Sequence, residues 1–141
     1  MAAAVEPFVY SLRVRYGECD PQGIVFNANY LAYFDVCLTE MWREAVGGWQ
    51  AMVERGVDAV VGEATIRFRK PARNDDLLDL RMHVAKLGTT SITTEVEIVR
   101  DGELLIEGSL RHVVVDAETF EKTPIPDWLR EALSRFAAAD A

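Results

Sequence analysis

The chain has 141 residues and a formal net charge of -8, with 50% of its residues apolar and 27% charged. That length holds one hydrophobic core and has no room for a second, and the composition is that of a folded globular protein. The acidic balance disfavours nucleic acid and anionic membranes as partners, because both are held through a basic face.

No apolar run approaches the roughly 20 residues that span a bilayer. The start, Met-Ala-Ala-Ala-Val-Glu-Pro, has neither the basic n-region nor the apolar h-region of a signal peptide. A soluble, cytoplasmic protein with a single domain over residues 1–141 is expected. The two cysteines, Cys19 and Cys37, and the two histidines, His83 and His112, form neither a disulfide framework nor a metal set at ligand spacing. No metal site is expected.

In chain order, Phe8 to Tyr16 alternates apolar and polar residues with the period of a half-buried strand. It gives way to turn chemistry at Gly17-Glu18-Cys19-Asp20-Pro21-Gln22-Gly23. A helix is predicted from Asn29 to Val46, with Asn29 as its N-cap and Gly47-Gly48 as its stop. Its apolar residues occupy nearly the whole circumference, the pattern of a buried helix. A short amphipathic piece, Trp49 to Arg55, precedes four alternating stretches that read as strands: Val57–Arg69, Leu78–Val84, Ile92–Ile98 and Leu104–Val114. Asp101-Gly102 supplies a hairpin turn, and Pro124 to Phe136 closes the chain as an amphipathic helix. Consecutive antiparallel strands with one buried helix make an α+β fold, with the sheet wrapped round that helix.

The stretch from Val14 to Tyr30, including Gly17-Glu18-Cys19-Asp20-Pro21-Gln22-Gly23-Ile24-Val25-Phe26-Asn27, resembles the signature of the hotdog-fold acyl-CoA thioesterases. The likeness is to the branch of 4-hydroxybenzoyl-CoA thioesterase and the Tol-Pal-linked enzymes. Tyr33-Phe34-Asp35 with Thr39-Glu40 resembles the family's central helix, and Phe68 to Asp76 the segment leaving its second strand. The resemblance implies a hotdog of about five strands round a long helix, with a short C-terminal helix. It also implies a homodimer or homotetramer with sites at subunit interfaces, and no cofactor beyond the coenzyme A of the substrate.

By that resemblance Asp20 is the catalytic carboxylate, acting as nucleophile on the thioester or as the base that activates water. Asp-Pro-x-Gly is also an ordinary turn initiator. Backbone N–H groups from Phe26 to Asn29, with Asn27 foremost, would polarise the carbonyl at a helix N-terminus; a turn asparagine is the alternative. Family branches carry Tyr, His or Asn at this position, and this chain has Asn27.

Gly23, Phe26 and Tyr30 join the substrate-binding set, although Gly23 also suits a simple turn and Tyr30 a core position. Arg67, Arg69, Lys70 and Arg73 form the one basic cluster, suited to the phosphates of coenzyme A or to a solvated strand face. Asp35 and Glu40 read better as paired or interface carboxylates than as bases. The expected activity is hydrolysis of an acyl-CoA to free acid and coenzyme A. An acyl-carrier-protein thioesterase and a non-catalytic acyl-CoA-binding hotdog are the alternatives.

Overall fold

Alternation decides the sheet. Stretches of period-two patterning form strands because alternate residues share a face that can be buried. The computed structural model describes residues 6–141; the Ala-rich start, expected to fray, lies outside the described residues. The elements are β1 (Phe8–Arg13), α1 (Asn29–Val46), α2 (Trp49–Glu54), β2 (Val57–Phe68), β3 (Leu77–Leu87), β4 (Ser91–Arg100), β5 (Glu103–Asp116) and α3 (Asp127–Ser134). The four strand pairs are antiparallel and the order is β1-β3-β4-β5-β2. The α+β expectation holds.

One sheet face buries Leu78, Leu80, Met82 and Val84 of β3, Ile92, Val96 and Ile98 of β4, and Ile106, Leu110 and Val114 of β5. Tyr30, Tyr33, Phe34, Cys37, Leu38, Met41 and Trp42 of α1 are buried in the same core. Extra residues at Gly62 in β2, Ala85 in β3 and Leu105 in β5 shift the register. Such bulges bend and twist a sheet, here over the helix. The seat of the helix is Gly108 on β5. A methyl group there would stand 2.7 Å from Cε2 of Phe34 and would run into the carbonyl of Thr65.

Three readings are corrected. The first strand ends at Arg13, not Tyr16, because the Val14 N–H turns away to the Asp76 carbonyl (2.9 Å) and the chain winds into a 3₁₀ turn at Tyr16–Glu18. Asn29 is not the N-cap: the cap position is Ala28, in helical conformation, and Asn29 lies inside the helix. Its amide instead donates to the Glu18 carbonyl at 2.8 Å. Finally, α1 is not buried all round. Leu31 and Val36 are 44% and 37% exposed, and Ala32 and Asp35 lie on the same open strip.

His112 of β5 sits under that strip, only 3% exposed, and among the described residues its Nδ1 has no hydrogen-bond partner. Burial pushes its pKa below the ordinary value of 6.5, against a weaker pull from Asp35.

Two outcomes follow. Gly108→Ala overpacks the helix–sheet contact and should destabilise the fold by about 1–3 kcal/mol in denaturant titration. The second concerns pH. The unfolded chain protonates His112 near 6.5 while the folded chain resists, so the unfolded state binds more protons just below that pH. Stability should therefore fall as pH drops through about 6.5, and thermal melts of His112→Leu should show a shallower slope in that window.

Candidate active site

The turn after β1 is built by local bonds before any long-range contact. Glu18 and Cys19 donate back to the carbonyls of Arg15 (2.9 Å) and Tyr16 (3.2 Å), and the Asp20 N–H reaches the Ile24 carbonyl at 2.8 Å. The Asp20 carboxylate accepts from the Gln22 N–H at 2.8 Å through Oδ1, which is the Asx turn that Asp-Pro favours. Among the described residues Oδ2 has no partner. One oxygen holds the turn and the other is unengaged. Gly23 has φ +79° with open space where a side chain would be, so the turn asks it for backbone freedom rather than for close approach.

The chain then enters α1. The Phe26 N–H donates to the Glu18 carbonyl (3.0 Å) and the Asn29 N–H to the Phe26 carbonyl (2.8 Å). That removes Phe26 and Asn29 from the expected set of free donors. Among the described residues, the N–H groups of Asn27 and Ala28 have no acceptor. These unfilled donors lie at the positive end of the helix dipole.

Opposite stands the end of β2. The bulge carbonyl of Leu105 accepts from the N–H groups of Arg69 (2.8 Å) and Lys70 (3.0 Å), and this draws the strand end over β5. Between the two walls lies a pocket of about 380 Å³, lined by Asp20, Asn27, Phe26, Tyr30, Phe68 and Lys70 among others.

Tyr30 is both core and wall. Its ring meets those of Tyr33 and Phe68 edge-on at 5.8 Å. Its hydroxyl accepts from the Ala72 N–H at 3.2 Å, and burial raises its pKa above the ordinary phenol value. Phe68, missing from the sequence-based set, is 56% exposed and turns its ring to the pocket. Its place on the inward-facing register of β2, paired with Ile106, was the available signal.

The basic cluster divides. Arg69 and Lys70 line the pocket and are tied to Glu107 (2.6 Å) and Glu103 (2.7 Å). Exposed pairs of this kind contribute only about 0–1 kcal/mol and can be exchanged for a ligand anion. Arg73 is exposed beyond the pocket wall, and among the described residues its guanidinium has no ion-pair partner. Arg67 is not brought to this site. It faces the outer side of the sheet, in a groove with His83, Glu95, Glu97 and Glu107. Arg100 braces the loop behind the wall, bonding Asp76 at 2.7 Å and the Pro71 carbonyl at 3.4 Å.

Glu40 pairs with Arg43 at 3.3 Å, as a paired carboxylate was expected to do. No group of His, Cys, Asp and Glu among the described residues is placed to hold a metal ion, and no helix there is long and apolar enough to cross a membrane.

An antiparallel sheet bent over one helix is the hotdog fold, which this chain shares with solved thioesterases. Residues 14–133 match the thioesterase-like superfamily, and the chain belongs to it. It is 30% identical to the acyl-CoA thioester hydrolase YbgC of Escherichia coli over 84% of this chain and 90% of that one. A thioesterase-superfamily structure from Jannaschia sp. CCS1 superposes with a TM-score of 0.89, 28% identity and 94% coverage of each chain. A gentisyl-coenzyme A thioesterase superposes with a TM-score of 0.80 at 27% identity, covering 89% of this chain and 98% of that one.

Proposed function

We propose that the protein hydrolyses acyl-CoA thioesters to free acid and coenzyme A, with Asp20 as the catalytic carboxylate. The observation that carries this reading is the juxtaposition in one apolar-walled pocket of Asp20, of Asn27 with its unfilled N–H and that of Ala28 next to it in the chain, and of Arg69 and Lys70. The thioester carbonyl oxygen takes the two N–H groups, whose fixed dipoles favour the charge that develops on it. Asp20 then either receives a proton from the attacking water or attacks the acyl carbon itself. In the first route water forms the new C–O bond, the C–S bond breaks, and the proton passes on to the departing thiolate. In the second, thiolate leaves first and water cleaves the resulting anhydride. Phe68, Tyr30 and Phe26 present the apolar surface for the acyl group. Arg69, Lys70 and Arg73 are the candidates for the phosphates of coenzyme A.

The site is built between copies of the chain in this reading. Strand β2 is an unpaired edge twelve residues long. Its Val61 is 56% exposed and pairs across to His112, which feels Asp35 on the open strip of α1. Edge and strip thus border one apolar face, which is the geometry of an interface rather than of a free surface. It runs along the strand whose far end, Phe68, forms the pocket wall. A homo-oligomer supports that wall, and a soluble cytoplasmic location fits the reading.

The deciding experiment is thiol release from short, long and aromatic acyl-CoAs. Asp20→Asn should lower kcat by about 10²–10⁴-fold with the fold intact by circular dichroism. Turnover unchanged in the mutant would move catalysis away from Asp20. Tight binding of an acyl-CoA without turnover would favour a carrier-protein substrate or a binding module. In sedimentation, Val61→Asp should convert the oligomer to monomer and lose about tenfold or more in kcat/KM; a wild-type chain that is monomeric and fully active would defeat the interface reading.

A further inference from the structure

We infer that Glu18 is a positioning residue for this reaction, a clamp that fixes the Asp20 carboxylate relative to the donors at the helix start; this rests on the thioester-hydrolysis reading above. Four hydrogen bonds converge on this one side chain and its carbonyl. Oε1 accepts from the Tyr33 hydroxyl at 3.0 Å and from the Arg15 N–H at 2.7 Å. The carbonyl accepts from the Phe26 N–H at 3.0 Å and from the Asn29 amide at 2.8 Å. Three of the donors lie on or beside α1, and the fourth is the last residue before the 3₁₀ turn.

The consequence is geometric. The loop that carries Asp20 leaves Glu18 and returns at Phe26, and the Glu18–Phe26 bond ties these two ends together. The bridge between Cys19 and Val25 continues the same closure one residue further in. Engaging the Phe26 N–H at Glu18 also sets where the free donors begin, at Asn27. Tyr33 anchors the clamp to the core: its ring is buried, and burial together with the Glu18 bond keeps its hydroxyl protonated, with a pKa far above the ordinary phenol value. Glu18 itself does not line the pocket. It therefore acts through the loop it holds and not on the substrate.

Both donors to the Glu18 side chain use a single oxygen, so the clamp needs an acceptor at that place rather than a charge. A glutamine carbonyl can accept both bonds. This separates a positioning role from direct acid–base chemistry, which the neutral amide could not perform. Small misplacements of a reacting group are expensive: about 1 Å can cost on the order of 10²-fold in rate.

The test compares Glu18→Ala, Glu18→Gln and Tyr33→Phe with wild type, using the best substrate of the acyl-CoA panel. Glu18→Ala and Tyr33→Phe should lose about tenfold or more in kcat with KM changed less than about threefold, and Glu18→Gln should stay within about threefold of wild type. Amide exchange read by NMR supplies an arm that needs no activity: the Phe26 N–H should exchange faster in the Ala and Phe variants and not in the Gln variant. A Gln variant as impaired as the Ala variant would overturn the proposal, as would Ala and Phe variants with wild-type kcat. If the wild-type chain releases no thiol from any acyl-CoA, the thioesterase reading fails, and the exchange arm alone decides the clamp: unchanged exchange in all three variants refutes it.

Discussion

The seat of the Phe34 ring on Gly108 of β5 is the contact on which the packing of α1 against the sheet depends. Phe34 can lie on the sheet only because residue 108 has no side chain. With that ring seated, the bulged strands bend over the helix. The helix direction is then fixed, and its N-terminus comes to the end of the sheet where β2 runs out. A helix packed a few ångströms higher would carry its free N–H groups away from Phe68 and the strand end.

The site uses what secondary structure leaves unfinished. A helix start has N–H groups without acceptors, an Asx turn occupies one carboxylate oxygen and spares the other, and a bulge carbonyl gathers two N–H groups at the close of a strand. None of these features requires a specialised side chain beyond Asp20. The electrostatics are local. An acidic chain places Arg69 and Lys70 on the pocket that faces the carboxylate turn, and their partner glutamates Glu107 and Glu103 balance those two charges. Behind the wall, the Arg73 N–H and the Arg100 guanidinium hold the Asp76 carboxyl below the usual range although burial opposes them. The loop from Pro71 to Asp76 is thereby braced from within.

The errors of the sequence reading have a common cause. Asn29 has the right chemistry for an N-cap and stands at the right place, but a competing acceptor, the Glu18 carbonyl, captures its amide once the turn folds back on the helix. The apolar circumference of α1 reads as burial within one chain, yet Leu31 and Val36 are exposed. Hydrophobicity reports that a surface seeks cover and is silent on whether the cover comes from the same chain. Arg67 and Arg69 were placed on one strand face, and both do turn to the outer side, where Arg69 meets Glu107. What separates them is that Arg69 lies just past the end of β2 and lines the pocket, whereas Arg67 lies within the strand.

Periodicity and turn chemistry are local properties, and for that reason the sequence alone determined the number of strands, the extent of α1 from Asn29 to Val46, the Asp101-Gly102 hairpin and the likeness that singled out Asp20. Strand order, the seat at Gly108, the burial of His112, the parting of Arg67 from the pocket and the convergence of four donors on Glu18 were decided by the tertiary structure. Each depends on contacts between residues far apart in the chain, and a glycine or glutamate carries no sign in its own neighbourhood of what the fold will bring against it.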